Sequence, residues 1–151
     1  MPWDQRSKRL VIALLIIAIL GFLDATYLTV QHYLGQAPAC GALRGCETVT
    51  SSTYSVLFSV PIALFGALYY LAMIAGSIFT LDTKNVVLLR WLARLTAAGF
   101  LFSLWLVYIQ LFVIEAVCIY CMASAGTSTL LFITGIMILL RKRQNTLNQA
   151  V

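Results

Sequence analysis

The 151-residue chain is 62% hydrophobic and only 10% charged. Soluble domains carry about 25% charged residues, so this composition excludes one, and the length allows a single domain. A net charge of +5 does not indicate nucleic acid here, because the basic residues gather at the ends of apolar runs, where they report membrane topology.

The first run begins after Arg6, Lys8 and Arg9 and extends from Leu10 to about Val30. Basic residues before an apolar stretch imitate a signal peptide. The run nevertheless continues past Gly21 without a small-x-small site and is long enough to span, so it is expected to be retained. Asp24 lies in its outer third, and an acid at membrane depth is a candidate functional residue. The bland alternative is a side chain that reaches interfacial water. His32 reads as an interfacial residue just beyond the span. A polar connection follows, with Pro38 breaking any helix and Cys40 and Cys46 separated by Gly41-Ala42-Leu43-Arg44-Gly45. Ser51, Ser52 and Thr53, with Tyr54, then either cap a helix or place a hydroxyl at a site.

The second run covers about Val56 to Leu81, the third about Val86 to Ile114 and the fourth about Cys118 to Leu140. Each matches the roughly 20 apolar residues that cross a bilayer. Inside lipid each must be a helix, because every backbone donor and acceptor has to be satisfied within the segment. Tyr69, Tyr70, Trp105, Tyr108 and Phe112 fit packing or the lipid interface. The expected fold is an all-α integral membrane bundle of four transmembrane helices, residues 1–151 in one domain, with a cysteine-bearing connection between helices one and two. The polar tail from Gln144 to Val151 is expected to fray.

Lys84, Arg90 and Arg94 mark the connection between spans two and three, and Arg141, Lys142 and Arg143 follow span four. The other two connections hold only Arg44 among basic residues, with Glu47 and Glu115. The positive-inside rule therefore puts both termini and the middle connection in the cytoplasm. Both cysteine pairs then face outward, to a periplasm, exterior or lumen, where disulfides form and persist.

Cys118 and Cys121 open span four as a C-x-x-C pair. Two cysteines three apart on a helix start can close a small disulfide ring, and the helix dipole with its free N–H groups favours a thiolate there. The short connection Glu115-Ala116-Val117 pins this pair at the membrane boundary, where a lipid-soluble acceptor is within reach. A structural disulfide or a zinc half-site stands as the alternative. A c-type haem is excluded, since Met122 occupies the position that needs histidine. A four-cysteine zinc centre would need all four thiolates to converge in a closed site, and no metal is expected. Cys40 and Cys46 lie on a segment flexible at two glycines, suited to swing between partners; a static loop disulfide is the alternative.

The order of these parts resembles the vitamin K epoxide reductase family, in a bacterial form. The resemblance rests on a first span, the spaced pair Cys40 and Cys46, Ser52, the segment Val60-Pro61-Ile62-Ala63-Leu64-Phe65-Gly66 opening span two, and Cys118-x-x-Cys121 opening span four. It implies a bundle around a quinone, of ubiquinone or menaquinone type, at its outer end. It implies Cys118 and Cys121 as the active pair, with Cys121 nearest the quinone, and Cys40 and Cys46 as the shuttle pair. Cys40 would meet a separate thioredoxin-fold partner, and Cys46 would bridge to Cys118. Ser52 matches a hydroxyl near the active disulfide, and Phe65, Tyr69, Tyr70 and Ile114 would approach the quinone. Two positions depart from the animal enzymes: Ala125 replaces a tyrosine and Ile62 an asparagine. Both favour plain quinone reduction over epoxide reduction.

The implied function is a thiol–quinone oxidoreductase of the bacterial inner membrane that reoxidises its partner and so supports disulfide formation outside the cytoplasm. The disulfide bond formation protein B family would carry out the same overall reaction, but there the C-x-x-C sits in the first outer connection. The remaining alternatives are the epoxide-reducing enzyme itself and a non-catalytic four-span scaffold with structural disulfides.

Overall fold

The computed structural model describes residues 5–36, 38, 39 and 45–148, with side chains up to residue 141. Four long helices dominate it: α1 (Gln5–Tyr33), α3 (Ile62–Thr83), α4 (Val86–Phe112) and α5 (Ile119–Asn148). All four are long and apolar enough to cross a membrane. A short helix α2 (Gly45–Thr50), a 3-10 turn (Thr53–Ser55) and a hairpin of β1 (Val56–Leu57) and β2 (Val60–Pro61) lie between α1 and α3.

The order of contacts makes the bundle antiparallel. Gly66 of α3 faces Ala25 of α1, and Tyr70 faces Gly21. Thr96 of α4 faces Gly135 of α5, and Phe100 stacks on Phe132 at 4.5 Å. Helix α1 packs against both α3 and α5, and α4 against α5. The core is a file of apolar side chains, among them Val11, Leu14, Ala18, Met73, Leu89 and Leu131. With so much of the outer surface apolar and exposed, packing between helices uses small residues at close approach, as in other membrane bundles. Gly76 against Leu92 is one such contact.

Local chemistry sets the turns. Lys84 ends α3 in the left-handed region (φ 54°) while its N–H donates to the Thr80 carbonyl at 2.9 Å, a standard way to satisfy an orphan carbonyl at a helix end. Asn85 starts α4 by accepting from the N–H groups of Val87 and Leu88 at 2.9 and 3.3 Å, the usual service of an N-cap amide. The basic residues Arg6, Lys8 and Arg9, Lys84, Arg90, Arg94 and Arg141 thus fall at one end of the bundle, and α2, the hairpin and Cys118 at the other.

One expected boundary shifts. The second helix begins at Ile62, not near Val56. Residues Val56–Pro61 form the antiparallel hairpin instead, with Val56 opposite Pro61 and Leu57 opposite Val60. Phe58 and Ser59 turn it with φ of 52° and 64°, the mirror-image turn that suits hairpin twist. The cause is Pro61, which disfavours helical backbone in the residue before it and serves well only at a helix start. At the other boundary α1 runs on through Tyr33, so His32 is helical rather than beyond the span.

Candidate active site: two cysteines sealed together beside an apolar cavity

The α4–α5 connection, residues 113–118, builds the floor of the site. The N–H groups of Val113 and Ile114 both donate to the Ile109 carbonyl at 3.0 Å, which ends α4. Glu115 then turns the chain with a φ of 53°. Gln110, 3% exposed, holds the connection from both sides: its carbonyl accepts from the Ala116 N–H at 3.2 Å, and its side-chain amide donates to the Cys118 carbonyl at 3.4 Å. Cys118 is thereby delivered at the start of α5, fully buried.

Cys118 and Cys121 are free thiols. The Cys121 N–H donates to the Cys118 sulfur at 3.4 Å. The Cys121 side chain is the main influence on Cys118, whose pKa is lowered to about 7, with further help from backbone N–H groups of Cys121 and Tyr120. Burial and the Asp24 carboxylate act in the opposite sense. A thiolate is the reactive form of cysteine, so this end of α5 holds an activated sulfur.

Cys46 is disulfide-bonded and 1% exposed. It sits on α2, a short helix, where the sequence led us to expect a swinging loop; Cys40 lies outside the described residues. Cys46, Val49 and Cys118 form one buried cluster, with Ile114, Ala116, Tyr120 and Cys121 packed around it. Gly45 makes this approach possible. A Cβ there would collide with the Val117 backbone, so only glycine lets α2 lie on the connection before α5. Thr50 stabilises α2 by donating to the Cys46 carbonyl at 2.7 Å.

The N-terminal side of the cysteine connection is held by two tyrosines. Tyr27 of α1 and Tyr120 of α5 contact each other with ring centroids 5.0 Å apart. The Tyr27 hydroxyl accepts from the Ala39 N–H at 3.4 Å, and the Tyr120 hydroxyl donates to the Ala39 carbonyl at 3.2 Å. Both backbone groups of the residue preceding Cys40 are therefore tied to the bundle rim.

Beside the cysteines lies a cavity of about 370 Å³. Cys121 lines it; so do Phe65, Tyr69, Tyr70 and Ile114, which the family resemblance brings near a quinone, and Ser52, which it brings near the active disulfide. Its walls are mostly apolar and include Ile62 and Ala125, the two positions that depart from the animal enzymes. Ser52 does not cap the following turn; its hydroxyl donates to the Val49 carbonyl at 2.7 Å. Tyr70 passes over Gly21 and reaches α5, where its hydroxyl meets the Ser124 carbonyl at 2.9 Å and the Thr127 hydroxyl at 2.8 Å. Tyr69 fits against Gly99 of α4. Trp105, Tyr108 and Phe112 are exposed on the outer surface instead. Among the described residues no group of histidine, cysteine or acidic side chains is arranged to hold a metal.

Sequence reasoning missed Gln110, Gly45 and Tyr27. Gln110 carried a signal, a lone amide within an apolar span, where an unpaired polar group is costly. Gly45 and Tyr27 carried none apart from residue type, since each acts through a segment distant in sequence.

The fold and this cysteine arrangement define a membrane oxidoreductase. The Vitamin K epoxide reductase family model matches residues 12–136, most of the chain, and the protein belongs to that family. Its members are in general membrane oxidoreductases whose thiol chemistry is linked to quinones.

Proposed function

We propose that this protein is a thiol–quinone oxidoreductase that reoxidises a thioredoxin-fold partner and passes the electrons to a quinone of ubiquinone or menaquinone type. The reading includes a bacterial inner membrane, both termini in the cytoplasm, the cysteines facing out, and disulfide formation in exported proteins as the outcome. One observation carries it: Cys118 is buried against Cys46 on one side, while its neighbour Cys121 opens onto the apolar cavity on the other. The dithiol thus reaches from the buried cluster of Cys46 to the cavity.

The cavity fits the group. Apolar and aromatic walls with one sulfur at the edge suit a flat, lipid-soluble ring, and Phe65, Tyr69, Tyr70 and Ile114 would hold it. A bound quinone supplies a two-electron, two-proton acceptor. The chain's residues perform the rest. Cys40 receives the partner's thiolate and Cys46 leaves as a thiolate. Cys46 then attacks Cys118 of the oxidised Cys118–Cys121 pair, and Cys121 leaves as a thiolate that takes up a proton. The partner's second thiol displaces Cys40, which closes again on Cys46 and releases Cys118, each step requiring a thiolate and a good leaving thiol. Cys118, with its lowered pKa, serves in both capacities. Closure of the Cys118–Cys121 disulfide ends the relay. Ile62 and Ala125 offer no hydrogen bond to an epoxide oxygen, which favours plain quinone reduction.

The test is oxidation of a reduced thioredoxin-fold protein by the purified chain in detergent with ubiquinone-1 or menaquinone-1 added. Oxidation is expected to require the quinone and to vanish in Cys118→Ala and Cys121→Ala. Quinone-independent oxidation, or none with either quinone, would overturn the reading and leave a scaffold with structural disulfides.

A further inference from the structure

Asp24 has no role in the relay described above, yet it sits at the dithiol. The α1–α5 contact of Tyr27 with Tyr120 lies one helical turn to one side of it. Gly21, covered by the Tyr70 ring that hydrogen-bonds Ser124, lies one turn to the other. Residues three apart share a helix face, so Asp24 is bracketed at the level of α5 between Tyr120 and Ser124, where Cys121 stands. Asp24 is half-buried, and its Oδ2 is sealed from solvent without a hydrogen-bond partner. A carboxylate oxygen in that state is expensive, and an acid at membrane depth marks proton or ion handling more often than architecture. The titratable groups within electrostatic reach of it are Cys118, Tyr120 and Cys121 on the α5 side, with Tyr27 one turn along α1 and Tyr70 of α3 over Gly21.

We propose that Asp24 is the proton acceptor for the Cys121 thiol when the dithiol gives up its electrons. The inference rests on the thiol–quinone reading. The balance is as follows. Cys118, already a thiolate, and Cys121 form one S–S bond. Two electrons pass to the quinone, which is reduced to the quinol. The proton on Cys121 goes to the Asp24 carboxylate and from there to the quinol oxygen; the second quinol proton comes from water at the rim, which took it from Cys118. Without an internal base the Cys121 proton would have no acceptor in an apolar wall, and general bases of this kind accelerate reactions by roughly a hundredfold or more.

The test uses the full chain with Asp24→Asn. Single-turnover reduction of ubiquinone-1 by the pre-reduced protein is expected to fall about a hundredfold at neutral pH. Iodoacetamide alkylation of Cys118 is expected to change in the opposite sense, its midpoint moving below about 7, because a negative charge that opposes the thiolate is gone. A merely structural aspartate would not slow one reaction while easing the other. Asp24→Glu, which keeps a carboxyl, is expected to stay within about tenfold of the unaltered protein. An Asn variant that reduces quinone at full rate, an unmoved alkylation midpoint, or a Glu variant as slow as Asn would each overturn the inference. If the unaltered protein reduces no quinone, the thiol–quinone reading itself falls, and the alkylation midpoint still decides whether Asp24 acts on the dithiol.

Discussion

Gly45 lies so close to the backbone of Val117 that residue 45 has no space for a side chain. Through this one contact α2 is laid on the connection before α5, and Cys46 enters the same buried cluster as Cys118. The two cysteines come from segments far apart in the chain, and glycine is what lets them share a pocket.

Gly45→Ala is therefore expected to push α2 off the connection. Overpacking of this kind costs about 1–3 kcal/mol. Quinone reduction driven by a thioredoxin-fold donor should fall by roughly an order of magnitude or more. Reduction driven by a small dithiol that reaches Cys118 directly should change less. Equal losses with both donors would show that Gly45 does not govern the Cys46–Cys118 approach.

The lowered pKa of Cys118 gives a pH signature. A depressed pKa means that the folded protein favours the thiolate, so reactivity persists down to about pH 7 and is lost below it as the sulfur is protonated. An ordinary thiol loses it already below about 8.5. In Cys121→Ala the main cause of the depression is removed, and the alkylation midpoint should move up. Rates of iodoacetamide modification between pH 5 and 10, read by mass spectrometry, check both statements.

Gln110 ties the connection to α4 through the Ala116 N–H and the Cys118 carbonyl. Gln110→Leu keeps the volume but removes the amide. The Cys118 carbonyl keeps the Met122 N–H at 3.0 Å, so the loss is that of one hydrogen bond, about 0.5–1.5 kcal/mol, and the variant should melt at a slightly lower temperature and show slower Cys118 exchange. Gln110→Glu in its protonated form can still donate, and should recover part of the loss at low pH.

Tyr27 and Tyr120 hold both backbone groups of Ala39. Each such bond contributes about 0.5–1.5 kcal/mol. In Tyr27→Phe the Ala39 amide loses its acceptor, and its hydrogen exchange should speed up roughly tenfold while amides in the middle of α1 are unchanged. Unaltered exchange at Ala39 would mean that the hydroxyl does not hold it.

The four helices and their order were legible in the sequence because lipid leaves the backbone no alternative to helix, and apolar length alone then marks the spans. That Cys46 lies at the same end of the bundle as Cys118 and Cys121 was legible from charge, since basic residues mark the opposite end. The hairpin at Val56–Pro61 was not, because a stretch broken only by Ser59 next to a long apolar run looks like more of the same helix; only Pro61 signalled the break. The settled position of Cys46 on α2 was hidden for another reason. Two glycines flanking a segment read as freedom, whereas Gly45 serves close packing against Val117, a contact no local pattern announces. Tyr69 and Tyr70 read from residue type as packing aromatics, and only the family resemblance brought them to the cavity.

The relay between Cys46 and Cys118 is the step on which the account depends. In a Cys40→Ala, Cys121→Ala variant those two sulfurs are the only thiols in the chain. After mild oxidation in detergent, non-reducing mass spectrometry should find a peptide pair joined by a Cys46–Cys118 disulfide in most molecules. Two unlinked thiols, or chains joined to one another through Cys46 or Cys118 in place of the internal bridge, would contradict it.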